Sequence, residues 1–189
     1  MENMLIMYLG GWKLRMNDKY YDECKDCPYF KQHYLQPNDQ IINGFIPLEM
    51  EFNNSDILLI FQAPGINEWQ KGDTIVPTHV KGGTAGIRIL NSWERKKKVR
   101  SDFDIVESVR CYPGKRQNGR DKKPRKKAKK CCSKILEREI SNGNYSKIIA
   151  FGMIAQEMLK EISIKNKCTI INAIHPNGGI SKVCLDSLW

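Results

Sequence analysis

The sequence predicts an α/β protein: a three-layer α/β/α sandwich around a mostly parallel, four-stranded sheet. Three observations carry this. Four short apolar runs are spaced along the chain, helical stretches alternate with them, and three of the runs end at turns that hold polar residues. Short apolar runs without polar alternation suit strands buried on both faces, which is what helices on either side of a parallel sheet produce.

In order, residues 1–23 show no clear element and residues 36–54 are rich in turn formers. Asp56–Phe61 is the first strand, stopped by Gln62-Ala63-Pro64-Gly65, a turn by composition. A glycine-rich loop, Lys81–Gly86, leads into a helix over Ile87–Trp93. Phe103–Val109 is the second strand and ends at Cys111-Tyr112-Pro113-Gly114. Pro124 suits a first helical turn, so a helix is expected from Arg125 to Ile140. Lys147–Phe151 is the third strand, and Gly152 opens a helix to Ile162. Thr169–Ile174 is the fourth, ending at His175-Pro176. Gln62, Cys111 and His175 thus all follow the carboxyl end of a strand. In open α/β sheets those ends form the ligand crevice.

At 189 residues with 41% apolar content, one domain spanning the whole chain is expected. No apolar run reaches the roughly 18 residues of a membrane helix. The first residues lack a basic region and a small-residue cleavage site, so the reading is a cytoplasmic monomer with no membrane partner. The net charge of +10 is concentrated. A basic loop at residues 114–130 carries ten Lys or Arg against the single acid Asp121, which accounts for nine of those charges. Such a block is the footprint of a phosphate backbone, so DNA, double- or single-stranded, is the expected partner. Lys115, Arg116, Arg120, Lys122, Lys123 and Arg125 are the candidate contacts.

Seven cysteines in a chain without a secretory signal point to metal binding or catalysis rather than disulfides. Cys24 and Cys27 form a Cys-x-x-Cys pair, Cys111 lies far downstream, and Cys131-Cys132 follow the basic loop. Two thiolates on one turn and two distant ones can complete a tetrahedral set around an iron–sulfur cluster, with zinc as the rival. Cys168, beside a strand expected to be buried, and Cys184 read as small hydrophobes.

Several motifs then align in order. Cys24-Lys25-Asp26-Cys27-Pro28 opens the series. Gln62-Ala63-Pro64-Gly65, with Glu68 beyond it, follows the first strand. Gly83-Thr84-Ala85-Gly86 starts a helix, and Val109-Arg110-Cys111-Tyr112-Pro113 follows the second strand. Cys132 comes eight residues after Pro124, and His175-Pro176-Asn177 closes the set. In these motifs the chain resembles the uracil-DNA glycosylase superfamily, and within it the iron–sulfur family 4. The resemblance implies a [4Fe–4S] cluster on Cys24, Cys27, Cys111 and Cys132, with Cys131 a bystander. It implies cleavage of the N-glycosidic bond of a flipped-out base. His175 would donate a hydrogen bond to the base oxygen as it becomes anionic, and Gln62 would hold the other edge. Ala63 stands where related families carry a water-activating Asp, which leaves Glu68 as the candidate base. Ala63, Pro64, Gly65, Glu107 and Lys81 would form the base pocket.

The departures are informative. The family's uracil-stacking Phe is missing from Thr74–Gly82, where Ile75 or Lys81 falls instead. Glu107 replaces the Asn that reads uracil. A Glu there would accept a hydrogen bond from an exocyclic amine, a cytosine-like feature. The expected substrate is therefore uracil or a modified pyrimidine, including the modified cytosines found mainly in phage genomes. Antiviral defence then stands beside DNA repair as a candidate role. Ile180 is the apolar residue available as a DNA wedge. The competing readings are a non-catalytic iron–sulfur DNA-binding protein of the same fold and a zinc-binding nucleic-acid module.

Overall fold

The computed structural model describes residues 6–9, 12–15, 21–29, 47–77 and 84–189. Strands β1 (Ile6–Leu9) and β2 (Trp12–Arg15) pair antiparallel, with Leu9 opposite Trp12. They are followed by a short helix, α1 (Tyr21–Cys24). The stretch 1–23, expected to lack elements, therefore carries three. Four-residue strands are too short to stand out by alternation alone.

The main sheet contains β3 (Ile57–Phe61), β4 (Asp104–Glu107), β5 (Lys147–Phe151) and β6 (Thr169–Ala173), in the order β4-β3-β5-β6. Its three strand pairings are all parallel. The four strands are those expected, trimmed by up to two residues at an end. Outside the named strands, Glu51 makes a lone antiparallel bridge to Ile105 on β4. The helices are α2 (Ile66–Lys71), α3 (Ala85–Arg95), α4 (Lys126–Asn142), α5 (Met153–Lys160) and α6 (Lys182–Asp186). α3 starts earlier than its apolar pattern because the Thr84 hydroxyl caps it, accepting from the Ile87 amide at 3.5 Å. α2 and α6 are additions to the expected set: six and five residues hold too little helical period to read.

Alternate side chains of each strand feed two cores. Leu58, Ile60, Val106, Ile148 and Ala150 pack with Leu136 and Ile140 of α4 and Ala155 and Met158 of α5. Leu59, Phe61, Ile105, Ile149 and Phe151 pack on the other face with Ile89 and Trp93 of α3 and Leu185 of α6. The Phe61 and Phe151 rings stack at 4.8 Å across neighbouring strands. Two cores on two faces of one sheet make the three-layer sandwich. β6 departs from expectation: it is an edge strand, with Ile170 46% exposed. Cys168 beside it is half-buried and packs against the first core, as a small hydrophobe would, whereas Cys184 is exposed. Among the described residues, no helix is long and apolar enough to cross a membrane.

Candidate active site

With the order β4-β3-β5-β6, the chain leaves β3 to one side and then returns to the other. A parallel sheet opens a crevice at such a switch, beyond the carboxyl ends of its strands. A cavity of about 300 Å³ lies there. It is lined by Gln62, Ala63, Pro64, Gly65 and Glu68 after β3, by Glu107 at the end of β4, and by His175 after β6. Residues far apart in sequence are thus brought to one space. Ile75 contributes an apolar wall, where the resemblance would have an aromatic one. Lys81, also expected in the pocket, lies outside the described residues. A larger cavity, about 450 Å³ and lined by residues such as Leu48, Met50 and Asp73, holds none of these groups.

The floor is fixed by main-chain bonds. Phe61 is level with Glu107 in the β3–β4 register. Beyond it, the Ser108 amide donates to the Phe61 carbonyl at 2.7 Å, and the Ser108 hydroxyl and Val109 amide donate to the Gln62 carbonyl at 2.7 and 3.1 Å. Glu107 is 3% exposed, and its Oε2 has no hydrogen-bond partner among the described residues. It pairs with no Lys of the basic loop among the described residues. Burial raises its pKa well above the ordinary carboxylate value, the nearby Glu68 adds to this, and Arg110 opposes it. Burial at this position therefore favours the protonated, neutral form of Glu107 over the charged one. A protonated carboxyl here can donate as well as accept.

Glu68 is also raised, first by burial and further by Asp121. Both carboxyls approach Gly65: a β-carbon there would stand 2.7 Å from Glu68 Oε2 and 3.7 Å from Asp121 Oδ2. Asp121 itself lines the cavity and accepts from the Tyr112 hydroxyl at 3.2 Å. Sequence reasoning treats it only as the odd acid in a basic run, and its position after Gly119 carries no signal of a pocket residue.

His175 caps a short 3₁₀ turn, Pro176–Gly178, its Nδ1 accepting from the Asn177 amide at 3.3 Å. That bond assigns the ring proton to Nε2. Burial lowers the pKa of His175, so the ring is a neutral donor. Two features set its place. Gly152, with φ of +83°, lets the chain turn beneath it. Arg88 of α3 donates to the carbonyls of Pro176 and Ile180 and clamps the loop from the other side. Sequence reasoning misses Arg88 because one Arg on an amphipathic helix looks like a solvated charge. Ile180, expected as a wedge, is 4% exposed and belongs to the core; its carbonyl, not its side chain, serves the site.

The basic loop is an ordered hairpin. Lys115 bridges Asp121, the Arg116 amide donates to the Arg120 carbonyl at 2.8 Å, and the Lys122 amide donates to the Gly114 carbonyl at 2.7 Å. Lys115, Arg116, Arg120, Lys122, Lys123 and Arg125 are all exposed, and none forms an ion pair among the described residues. Lys115 and Gly119 reach the cavity wall. The hairpin that carries these cations therefore borders the pocket, with Lys115 the one of the six that lines it.

The cysteines lie behind this hairpin. Cys27 closes a turn on Cys24, its amide donating to the Cys24 carbonyl at 2.8 Å. The segment docks on α4 through Glu23 with Arg138, and through the Tyr29 hydroxyl accepting from the Arg125 amide at 2.6 Å. Cys24, Cys27, Cys111 and Cys132 are each at most 3% exposed, whereas Cys131 is half-buried. Burial raises Cys24, Cys111 and Cys132, the last to about 12, and each is raised further by neighbouring thiols of the same set. The thiols are close enough to feel one another, but no three of the described His, Cys, Asp or Glu side chains already stand in metal-ligand geometry. Arg110, fully buried beside Cys111, donates to the Leu48 carbonyl at 2.9 Å and pairs with Glu139 of α4.

The family model of the uracil DNA glycosylase superfamily matches residues 49–182, well over half of the chain. The chain belongs to this superfamily. The matched span runs from before β3 to the first residue of α6 and holds every described pocket residue. It includes Cys111 and Cys132 but not Cys24 and Cys27. Members of the uracil DNA glycosylase superfamily are mostly DNA glycosylases, which makes base excision the general activity of this fold. No curated protein matches the chain.

Proposed function

We propose that this chain is a DNA glycosylase that hydrolyses the N-glycosidic bond of a pyrimidine turned out of its strand, uracil or a modified cytosine, and leaves an abasic site. One observation carries the reading: His175, Gln62 and Glu107 converge on a single cavity bordered by the exposed basic hairpin, whose Lys115 lines it. The hairpin cations hold the phosphates on either side of the target nucleotide. The base enters the cavity edge-on, meeting Gln62 and Glu107 on the floor. As the bond breaks, negative charge grows on the base, and the neutral His175 donates its Nε2 proton in a hydrogen bond to the developing oxyanion. Glu68 and Asp121 face the positive charge that grows on the sugar, and one of them takes the proton of the attacking water.

A [4Fe–4S] cluster on Cys24, Cys27, Cys111 and Cys132 belongs to this proposal. The donor set is all sulfur, buried, and in need of a cation to ionise. The bound cluster supplies a cross-link between the amino-terminal turn and both ends of the basic hairpin. The test is base release, followed by mass spectrometry, from DNAs carrying uracil, cytosine or modified cytosine. The wild type should release a free base, and His175→Ala should bind the same DNA without releasing it. Binding without release by the wild type would leave the non-catalytic reading in its place.

A further inference from the structure

Glu107 has a property that holding a base edge does not require. It ends β4, is 3% exposed, lines the cavity that also holds the donor His175, and has a buried Oε2 with no hydrogen-bond partner among the described residues. A buried carboxyl left without a partner is costly if charged, so it holds its proton until a ligand offers a place for it. We propose that Glu107 is the acid that protonates the leaving base, and that the pocket thereby favours cytosine-type bases, which carry an unprotonated ring nitrogen beside an exocyclic amine. The proposal rests on the glycosylase reading and names its substrate class.

The chemistry follows from the two functions of a neutral carboxyl. Its hydroxyl donates and its carbonyl accepts, side by side. Against cytosine, the hydroxyl meets N3 and the carbonyl meets the N4 amine. Uracil also pairs with such a group, through N3–H and O4, so pairing alone does not select. The proton selects. Only the cytosine-type N3 can take it, and cytosine departs poorly as an anion because its ring nitrogen is far less acidic than that of uracil. In the step, the C1′–N1 bond breaks and its electron pair goes to N1. The Glu107 proton goes to N3, so the base leaves neutral. Water adds to C1′ and gives its proton to Glu68 or Asp121. Glu68 lies close enough to perturb Glu107 and can return a proton to it. The charged groups facing Glu107 are Glu68 of α2 and Arg110 after β4; Lys115 and Asp121 of the hairpin and His175 after β6 share its cavity. Arg110, the one cation among its direct neighbours in the described residues, is already paired with Glu139.

The experiment compares wild type and Glu107→Gln on oligonucleotides carrying one cytosine, 5-hydroxymethylcytosine or uracil, across a pH series. Gln keeps a donor and an acceptor at the same place but has no proton to give. The wild type should release a cytosine-type base, with a rate that falls as pH rises through the raised titration of Glu107. Glu107→Gln should lower that release about 100-fold or more, the scale of general-acid catalysis. Release by Glu107→Gln within about tenfold of wild type, with a cooperative thermal melt, overturns the proposal. Uracil release alone by the wild type also overturns it but leaves the glycosylase reading standing, whereas no release from any DNA removes that reading itself. If the variant does not fold, the wild-type profile decides: a flat or rising rate with pH overturns the proposal.

Discussion

Gly152 and His175 approach so closely that a β-carbon on the glycine would stand 3.1 Å from the Cβ of the histidine. Gly152 also has φ of +83° and ψ of 164°, a conformation that belongs almost entirely to glycine. Gly152→Ala therefore meets strain in its own backbone and pressure on the candidate catalytic ring. We expect a loss of about 1–3 kcal/mol in stability, read by thermal or denaturant unfolding. Base release should fall further than stability alone explains, because His175 is displaced from the cavity. A Gly152→Ala protein with wild-type release would show that His175 does not depend on this approach.

Glu107 makes a prediction about stability that is separate from catalysis. Its folded-state pKa is raised, so the folded protein holds a proton that the unfolded chain releases above about pH 4.3. The stability contributed by the group is fully present below that pH and is lost as pH rises toward the folded pKa. Glu107→Gln removes the penalty. Its melting temperature should exceed that of wild type at pH 7 to 8, by about 2–4 °C for each kcal/mol recovered, and the gap should close in acid. A gap that is constant with pH would mean the carboxyl is charged in the folded state.

The cysteine centre is tested by metal content. Single Ser substitutions at Cys24, Cys27, Cys111 or Cys132 should each lower bound iron and the absorption at roughly 400 nm typical of thiolate-held clusters. Cys131→Ser should retain both, since Cys131 is half-buried while the other four are closed from solvent. Stoichiometric zinc in freshly purified, colourless protein would replace the cluster with the zinc reading.

The pocket edge is legible in the sequence because the turns at Gln62 and His175 each follow a run of apolar residues and Glu107 closes another. Ile57–Phe61 and Lys147–Phe151 are buried on both faces, so their composition marks them as interior parallel strands. The turns that follow such strands share one edge of the sheet by topology alone. Residues that act through the main chain are not legible. Arg88 binds two carbonyls of the His175 loop, and no sequence pattern announces a carbonyl's need for a donor. Glu107 reads as a pocket residue, but its protonation state depends on Glu68, Arg110 and complete burial, which are tertiary facts. Asp121 is hidden by its surroundings: the hairpin register that turns it toward Gly65 depends on the Lys115–Asp121 bridge, not on local composition.

The basic hairpin yields the last prediction. Its six exposed cations, Lys115 to Arg125, make no ion pairs among the described residues, so they are available to phosphates without breaking bridges. Removing one cation that binds a phosphate should reduce the dependence of log K on log salt by about 0.9 on duplex DNA and about 0.7 on single strands. Changing Arg116 and Arg120 together to Gln should weaken binding to all DNA sequences alike, flatten the salt slope by somewhat under two units, and leave the melting temperature unchanged. Both lie at the hairpin tip, where their side chains are exposed and their backbone bond does not depend on side-chain identity. Lys115 differs, because it also lines the cavity. Lys115→Gln should therefore lower the rate of base release at saturating DNA as well as affinity. Equal effects of Lys115 and the tip arginines on affinity alone would mean that the hairpin holds the backbone and takes no part in closing the pocket.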